Sequence, residues 1–149
     1  MVIFSIGGVP LEVRAFFDRL KTKSIENATK CKEDGNSEFQ AKKYRRAIYA
    51  YTMGLDWQCE DSLVNVQLLT NRAAAHFHLG NFRASLNDCK EAVKVKKDHF
   101  KALKRGSLCL LKLRKNDECI KWAKKALKID NNDAELIEIL GKAQNNQKR

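Results

Sequence analysis

The chain has a single proline, Pro10, so no later proline interrupts a helix. It has no glycine-rich phosphate loop, no nucleophile–base motif and no set of metal ligands. Catalysis, a cofactor and a bound metal are therefore not expected. The five cysteines (Cys31, Cys59, Cys89, Cys109 and Cys119) are odd in number and form no C-x-x-C pair. That argues for buried thiols in a reducing compartment. The three histidines, His76, His78 and His99, supply no zinc spacing with them. Long apolar runs are missing as well. Met1–Val9 is apolar, but it is too short to span a bilayer and lacks the basic start of a secretory signal. These absences lead to an expectation of a cytoplasmic protein, with the nucleus also open to it and no membrane partner. Acidic residues are in deficit, 18 against 29 Lys and Arg, for a formal charge of +11. Such an excess favours an acidic partner without choosing among nucleic acid, an anionic surface and acidic protein.

What the chain does have is a repeat. Shifted by 34 residues, Val66–Asp133 falls on itself: Leu69 meets Leu103, Leu86 meets Ile120, and Ala92 meets Ala126. A third copy lies upstream at an offset of 38. Gly35, Ala73 and Ser107 form one column of small residues, and Gly54, Ala92 and Ala126 form another. A helical hairpin of about 34 residues cannot bury its apolar face alone, and stacked copies can. Small columns mark where two helices of a hairpin approach closely. We place the repeats at 28–61, 66–99 and 100–133, with Ser62 to Asn65 inserted after the first. Turns fall at Ala41-Lys42-Lys43, Gly80-Asn81 and Arg114-Lys115-Asn116. Tyr44, Ile48, Tyr51 and Leu55 have the spacing of a core stripe. Residues 133–147, with Asp133 as N-cap, read as a solvating helix that closes the stack. Residues 1–24 lie outside the repeat. Within them Val9–Leu20 suits a short amphipathic helix after a loose Gly7-Gly8-Pro10 start. The expected architecture is an all-α solenoid of three helix–turn–helix repeats plus a capping helix over 25–147. A monomer is expected.

The first helix of each repeat should line the concave side. Lys32 and Asn36 there are four residues apart, as are Lys101 and Arg105, and Asn71 stands between the two pairs. Like charges so close repel unless an anion lies between them. Cations give charge-assisted bonds and amides add directional donors, so the five together suit a carboxylate or two adjacent ones. Phe39 and Phe77 follow Lys32 and Asn71 by seven and six residues. They either face the same hollow or pack between repeats. Lys121, Lys124, Lys125 and Lys128 form a basic stripe on the third repeat's second helix, hence on the convex side. RNA binding there would need stacking aromatics. Only Trp122 is near, and its spacing suits the core.

The segments Lys32-Glu33-Asp34-Gly35-Asn36, Thr70-Asn71-Arg72-Ala73-Ala74-Ala75 and Lys101-Ala102-Leu103-Lys104-Arg105 resemble the dicarboxylate-clamp tetratricopeptide repeats of chaperone cofactors. Leu79-Gly80-Asn81-Phe82-Arg83, Ser85-Leu86-Asn87-Asp88, the Cys59–Thr70 junction and Trp122 are similar to the tetratricopeptide repeat protein 4 family. The resemblance implies a cochaperone module that grips the terminal Glu-Glu-Val-Asp of the cytosolic heat-shock chaperones of ninety or seventy kilodaltons. It implies Lys32, Asn36, Asn71, Lys101 and Arg105 as the clamp. Phe39, Ala74, Phe77, His78 and Lys104 would shape the rest of the groove, His78 as a donor and Lys104 as added positive charge. The family's repeat-ending proline is replaced by Cys59, Lys97 and Asn131, and its turn aromatic by Asn116 in the third repeat. That repeat should be looser there. The family's C-terminal globular domain has no counterpart in these residues, so no client-handling role is expected of them.

Overall fold

The computed structural model describes residues 7–149, so most of the apolar Met1–Val9 stretch lies outside the described residues. Among the described residues seven helices follow one another: α1 (Leu11–Gln40), α2 (Tyr44–Asp56), α3 (Ser62–His78), α4 (Phe82–Val95), α5 (Phe100–Lys112), α6 (Asn116–Leu127) and α7 (Ala134–Gln147). Among the described residues there is no strand. Each helix packs on its sequence neighbour, and α1, α3, α5 and α7 also touch in series. The stack therefore has an inner row of first helices, backed by α2, α4 and α6.

The expected small columns lie at the helix contacts. Gly35 and Gly54 are buried, and Ala73, Ser107, Ala92 and Ala126 are fully enclosed. A Cβ on Gly35 would run into the Tyr51 ring, and one on Gly54 would stand 2.7 Å from Leu68 Cδ2. Trp122 fills the space over Gly106 in the same way, so it belongs to the core as its spacing suggested.

Three features differ from the sequence reading. First, the helix starting after Pro10 does not stop near Leu20. It runs on through the first repeat as a 30-residue α1, because no proline and only the buried Gly35 interrupt it. Its first turns leave Leu11, Val13, Phe16, Phe17 and Leu20 exposed. The body begins where Lys21 pairs with Glu60 at 3.3 Å and Ser24 Oγ donates to the Trp57 carbonyl at 3.2 Å. Second, the inserted Ser62 to Asn65 form no loop. They are the first turn of α3, which has 17 residues against 13 for α5. Asp61 caps that added turn, accepting from the Leu63 and Val64 amides. Third, Asn116, in place of a turn aromatic, accepts from Asn146 Nδ2 at 3.4 Å and so ties the third turn to α7. Asp133 caps α7 as expected, accepting from the Leu136 amide at 2.9 Å.

The three hairpin turns share one backbone requirement. Lys42, Gly80 and Arg114 hold equivalent positions with φ of 59°, 77° and 59°. Glycine adopts this left-handed region freely, whereas a side chain there costs roughly 1 kcal/mol. Lys42→Gly and Arg114→Gly should each raise the unfolding free energy by about 0.5 kcal/mol, because relief of strain outweighs glycine's extra unfolded-state entropy. Urea denaturation with an unchanged m-value checks this.

Candidate functional site

The inner row of helices builds a cleft of about 580 Å³. Lys32 and Asn36 of α1, Asn71 of α3 and Lys101 of α5 line it together. Gln67, Thr70, Lys96, Asp98, His99 and Phe100 complete its wall with Leu63. Arg105 does not line this cleft. It lies one turn beyond Lys101 on the same face of α5, with its guanidinium 5.7 Å above the Phe77 ring. It continues the positive wall over an aromatic base.

Hydrogen bonds inside the cleft occupy three of its acceptors, Gln67 Oε1, Asn36 Oδ1 and His99 Nδ1. Lys32 Nζ donates to Gln67 Oε1 at 2.9 Å. Asn71 Nδ2 donates to Asn36 Oδ1 at 3.0 Å, and the Tyr51 hydroxyl donates to the same oxygen at 2.7 Å. His99 Nδ1 accepts from the Ala102 amide at 3.2 Å as the N-cap of α5, which puts the ring proton on Nε2. The Lys32 and Lys101 ammonium groups, the Asn36 amide N–H groups and the His99 imidazole N–H are the donors that remain to meet a ligand. Asp98, exposed at the rim, is the one carboxylate in the lining.

A second hollow of about 210 Å³ adjoins the first through Asn36 and Asn71, and Phe39, Gln40, Tyr51 and Ala74 also line it. Phe39 and Ala74 therefore stand beside the cleft. Phe39 also meets Tyr44 and His78 edge-on at 5.2 and 5.4 Å. The other groove positions are placed differently. Phe77 packs edge-on against Phe82 at 5.2 Å and belongs to the core between the second and third repeats. His78 lies flat on Tyr44 at 4.7 Å, outside both hollows. Lys104 is not free positive charge. It pairs with Asp133 Oδ2 and Glu135 Oε2, both at 2.8 Å, and these bonds raise its pKa while Lys104 holds the Asp133 carboxyl below its ordinary range. The N-cap and first-turn carboxylates of α7 satisfy the ammonium, so it serves the capping helix.

Sequence reasoning missed Gln67 and Tyr51 as site residues. Gln67 lies four residues before Asn71, hence on the same helical face. Tyr51 was read as core, which it is at 1 % exposure. A buried phenol needs a hydrogen-bond partner, and that need was the available signal. A further hollow of about 670 Å³ between α1 and α2 mixes Asp34 and Glu38 with Arg45 and Arg46. Its mixed charge gives it no preference for an anion.

His99 also ties folding stability to pH. Burial first, then Lys96, lowers its pKa from the ordinary 6.5. Burial lowers that of His76 as well. The unfolded chain thus takes up protons before the folded one does as pH falls. The stability tied to the neutral imidazoles is complete above the unfolded value and is lost as pH drops below it towards the folded values. The melting temperature should therefore fall from pH 7.5 to 5.5. His99→Asn, which keeps a capping acceptor, should show a shallower fall in thermal melts at constant ionic strength.

No protein-family model matches the chain. Tetratricopeptide repeat protein 4 of Homo sapiens is 44% identical over 118 residues, which are 79% of this chain and 30% of that protein. The Hsp70/Hsp90 co-chaperone CNS1 of Saccharomyces cerevisiae is 34% identical over 93 residues, 62% of this chain and 24% of that one. The chain thus spans less than a third of the length of these curated relatives. Among solved structures, the first TPR of Spaghetti (RPAP3) bound to the HSP90 peptide SRMEEVD superposes with a TM-score of 0.76 at 32% identity. That match covers 84% of this chain and 96% of the other. With a repeat period of 34, seven stacked helices and this likeness across nearly the whole of a solved domain, the chain belongs to the tetratricopeptide-repeat domain family.

Proposed function

We propose that the chain is a cochaperone adaptor module that holds the acidic C-terminal tail of a heat-shock chaperone, ending in Glu-Glu-Val-Asp, by its free carboxylates. The tail of the ninety-kilodalton chaperone, or that of the seventy-kilodalton one, is the partner. The observation that carries this reading is the shared cleft of Lys32, Asn36, Asn71 and Lys101, in which internal bonds occupy the Asn36 and Gln67 side-chain oxygens and two ammonium groups stand together. Carboxylates are acceptors only, so they match such a surface. The related RPAP3 domain, solved with the HSP90 peptide SRMEEVD, supports the choice of peptide. Binding needs no cofactor and no chemistry, and the chain acts as an adaptor rather than an enzyme. Among the described residues no helix is long and apolar enough to cross a membrane, which accords with a place in the cytoplasm.

A peptide of this length should bind with about micromolar affinity, on the order of −8 kcal/mol. Calorimetry with a free-acid peptide ending in Glu-Glu-Val-Asp tests the reading, and no heat of binding at millimolar peptide would reject it. RNA binding through Lys121, Lys124, Lys125 and Lys128 has less support. These side chains are exposed on α6 and its C-cap, but Trp122 beside them packs over Gly106 against the core, and base binding favours free stacking aromatics.

A further inference from the structure

We infer that Tyr51, acting through Asn36, makes the cleft selective for a free carboxylate over a neutral chain end. The inference rests on the carboxylate-binding reading above, and it concerns a residue that touches no ligand. Tyr51 is a positioning residue on α2, behind the inner row.

The argument begins with the hydroxyl. Tyr51 is 1 % exposed, and its ring is seated against Gly35, where any Cβ would collide with it. Burial pushes its pKa up to about 12, so the hydroxyl stays protonated and must donate. Its acceptor is Asn36 Oδ1, at 2.7 Å. The same oxygen accepts from Asn71 Nδ2 at 3.0 Å. A carbonyl oxygen has two lone pairs, and both are now used.

Asn36 is consequently locked. If it turned its oxygen to the cleft, its NH₂ would swing onto the Tyr51 hydroxyl and the Asn71 NH₂. Two donors would then face a donor, and the phenol would lose its acceptor. Asn36 thus presents Nδ2 and no oxygen. Gln67 Oε1 and His99 Nδ1 are occupied in the same inward sense. A carboxylate brings acceptors only and loses nothing here. A carboxamide end brings N–H donors, and at Asn36, Gln67 and His99 these meet no open acceptor and go unpaired. Without the hydroxyl, the Asn36–Asn71 pair is free to turn as a unit and offer an oxygen to such an end.

The test uses the full chain and two peptides of one sequence ending in Glu-Glu-Val-Asp, one a free acid and the other a C-terminal carboxamide. Both compete with a fluorescent free-acid peptide. The unaltered protein should prefer the acid by about 100-fold, as loss of two charge-assisted bonds would give. Tyr51→Phe keeps the ring and removes only the oxygen. It should weaken the acid about 3-fold to 10-fold and narrow the acid-to-amide ratio by about 10-fold. A purely structural defect would weaken both peptides together and leave the ratio in place. A ratio unchanged within about 2-fold, in a variant of normal helicity, overturns the inference. Failure of the unaltered protein to bind the free acid overturns instead the proposed function on which it rests. If Tyr51→Phe does not fold, the side-chain amide signals of Asn36 in the unaltered protein decide. They should shift and gain protection from exchange with the acid and not with the carboxamide. Signals that respond to neither peptide overturn the inference.

Discussion

Lys32→Ala should weaken binding of a free-acid Glu-Glu-Val-Asp peptide by at least about 30-fold, near 2 kcal/mol, and Lys101→Ala by about as much. In the proposed complex each substitution removes a cation that would meet a carboxylate of the peptide. Lys32 is half-buried and already held at 2.9 Å by Gln67 Oε1. It enters the complex with little rotamer freedom left to lose, which favours affinity. Its removal also frees Gln67 Oε1, an acceptor that then faces the incoming carboxylate. Lys101 is exposed and makes no such bond, so its loss acts through charge alone. Lys104→Ala is the matched control. It removes the same charge from the same helix, but that charge is spent on Asp133 and Glu135. Peptide affinity should change by less than about 2-fold, since long-range attraction between exposed charges is screened at physiological salt. Helix α7 should instead loosen. Calorimetry on the three variants at one salt concentration separates these outcomes. Equal losses for Lys101→Ala and Lys104→Ala would mean that bulk charge, not a site, attracts the tail.

The column of small residues and the polar positions on first helices could be read because a repeat aligns them against each other. Gly35, Ala73 and Ser107 recur in phase, and Asn71 meets Arg105 at the shift of 34. Period and helical spacing are local, one-dimensional properties, and they survive folding unchanged. What escaped were pairings across helices. Lys104 and Asp133 are 29 residues apart, and Tyr51 and Asn36 are 15 apart. Each of these residues was singled out for another role: added charge, N-cap, core and clamp. No periodicity states that Lys104 reaches back to the cap of α7, because α7 is not a repeat and its tilt on α5 is set by packing of Leu136 and Ile139. Length was missed for a related reason. A stop signal is needed to end a helix, and between Leu11 and Gln40 the sequence offers none strong enough. Ser62 to Asn65 read as an insertion in the repeat, yet Asp61 just before them is an ordinary N-cap, and the extra residues lengthen α3.

Arg72→Ala should be the most destabilising single change away from the apolar core, at about 3 kcal/mol or more. The guanidinium grips Asp88 with two bonds, Nε to Oδ2 at 2.8 Å and Nη2 to Oδ1 at 2.7 Å. Its remaining arm donates to Thr52 Oγ1 at 3.1 Å. One side chain of α3 thereby binds α2 and α4 together, and the Asp88 bond holds the guanidinium firmly in its charged form. Asp88 keeps only 8 % of its side chain in contact with solvent, against 22 % for Arg72. Truncating the arginine strands a carboxylate that has little access to water, which is costly. Truncating the aspartate strands an arginine whose longer stem can move outward, so Asp88→Ala should cost less, about 2 kcal/mol. The double variant should be more stable than Arg72→Ala alone, because no buried charge is left unpaired. Urea denaturation of the three variants gives the order directly. An Asp88→Ala loss larger than that of Arg72→Ala would show that the stranded cation, not the anion, dominates. The consequence reaches the site through one peptide bond. Asn71 precedes Arg72 on α3, and the register that the bidentate pair imposes on α3 is the register that carries the Asn71 amide to Asn36 at 3.0 Å. Peptide affinity in Arg72→Ala should accordingly fall at temperatures where the variant is still folded.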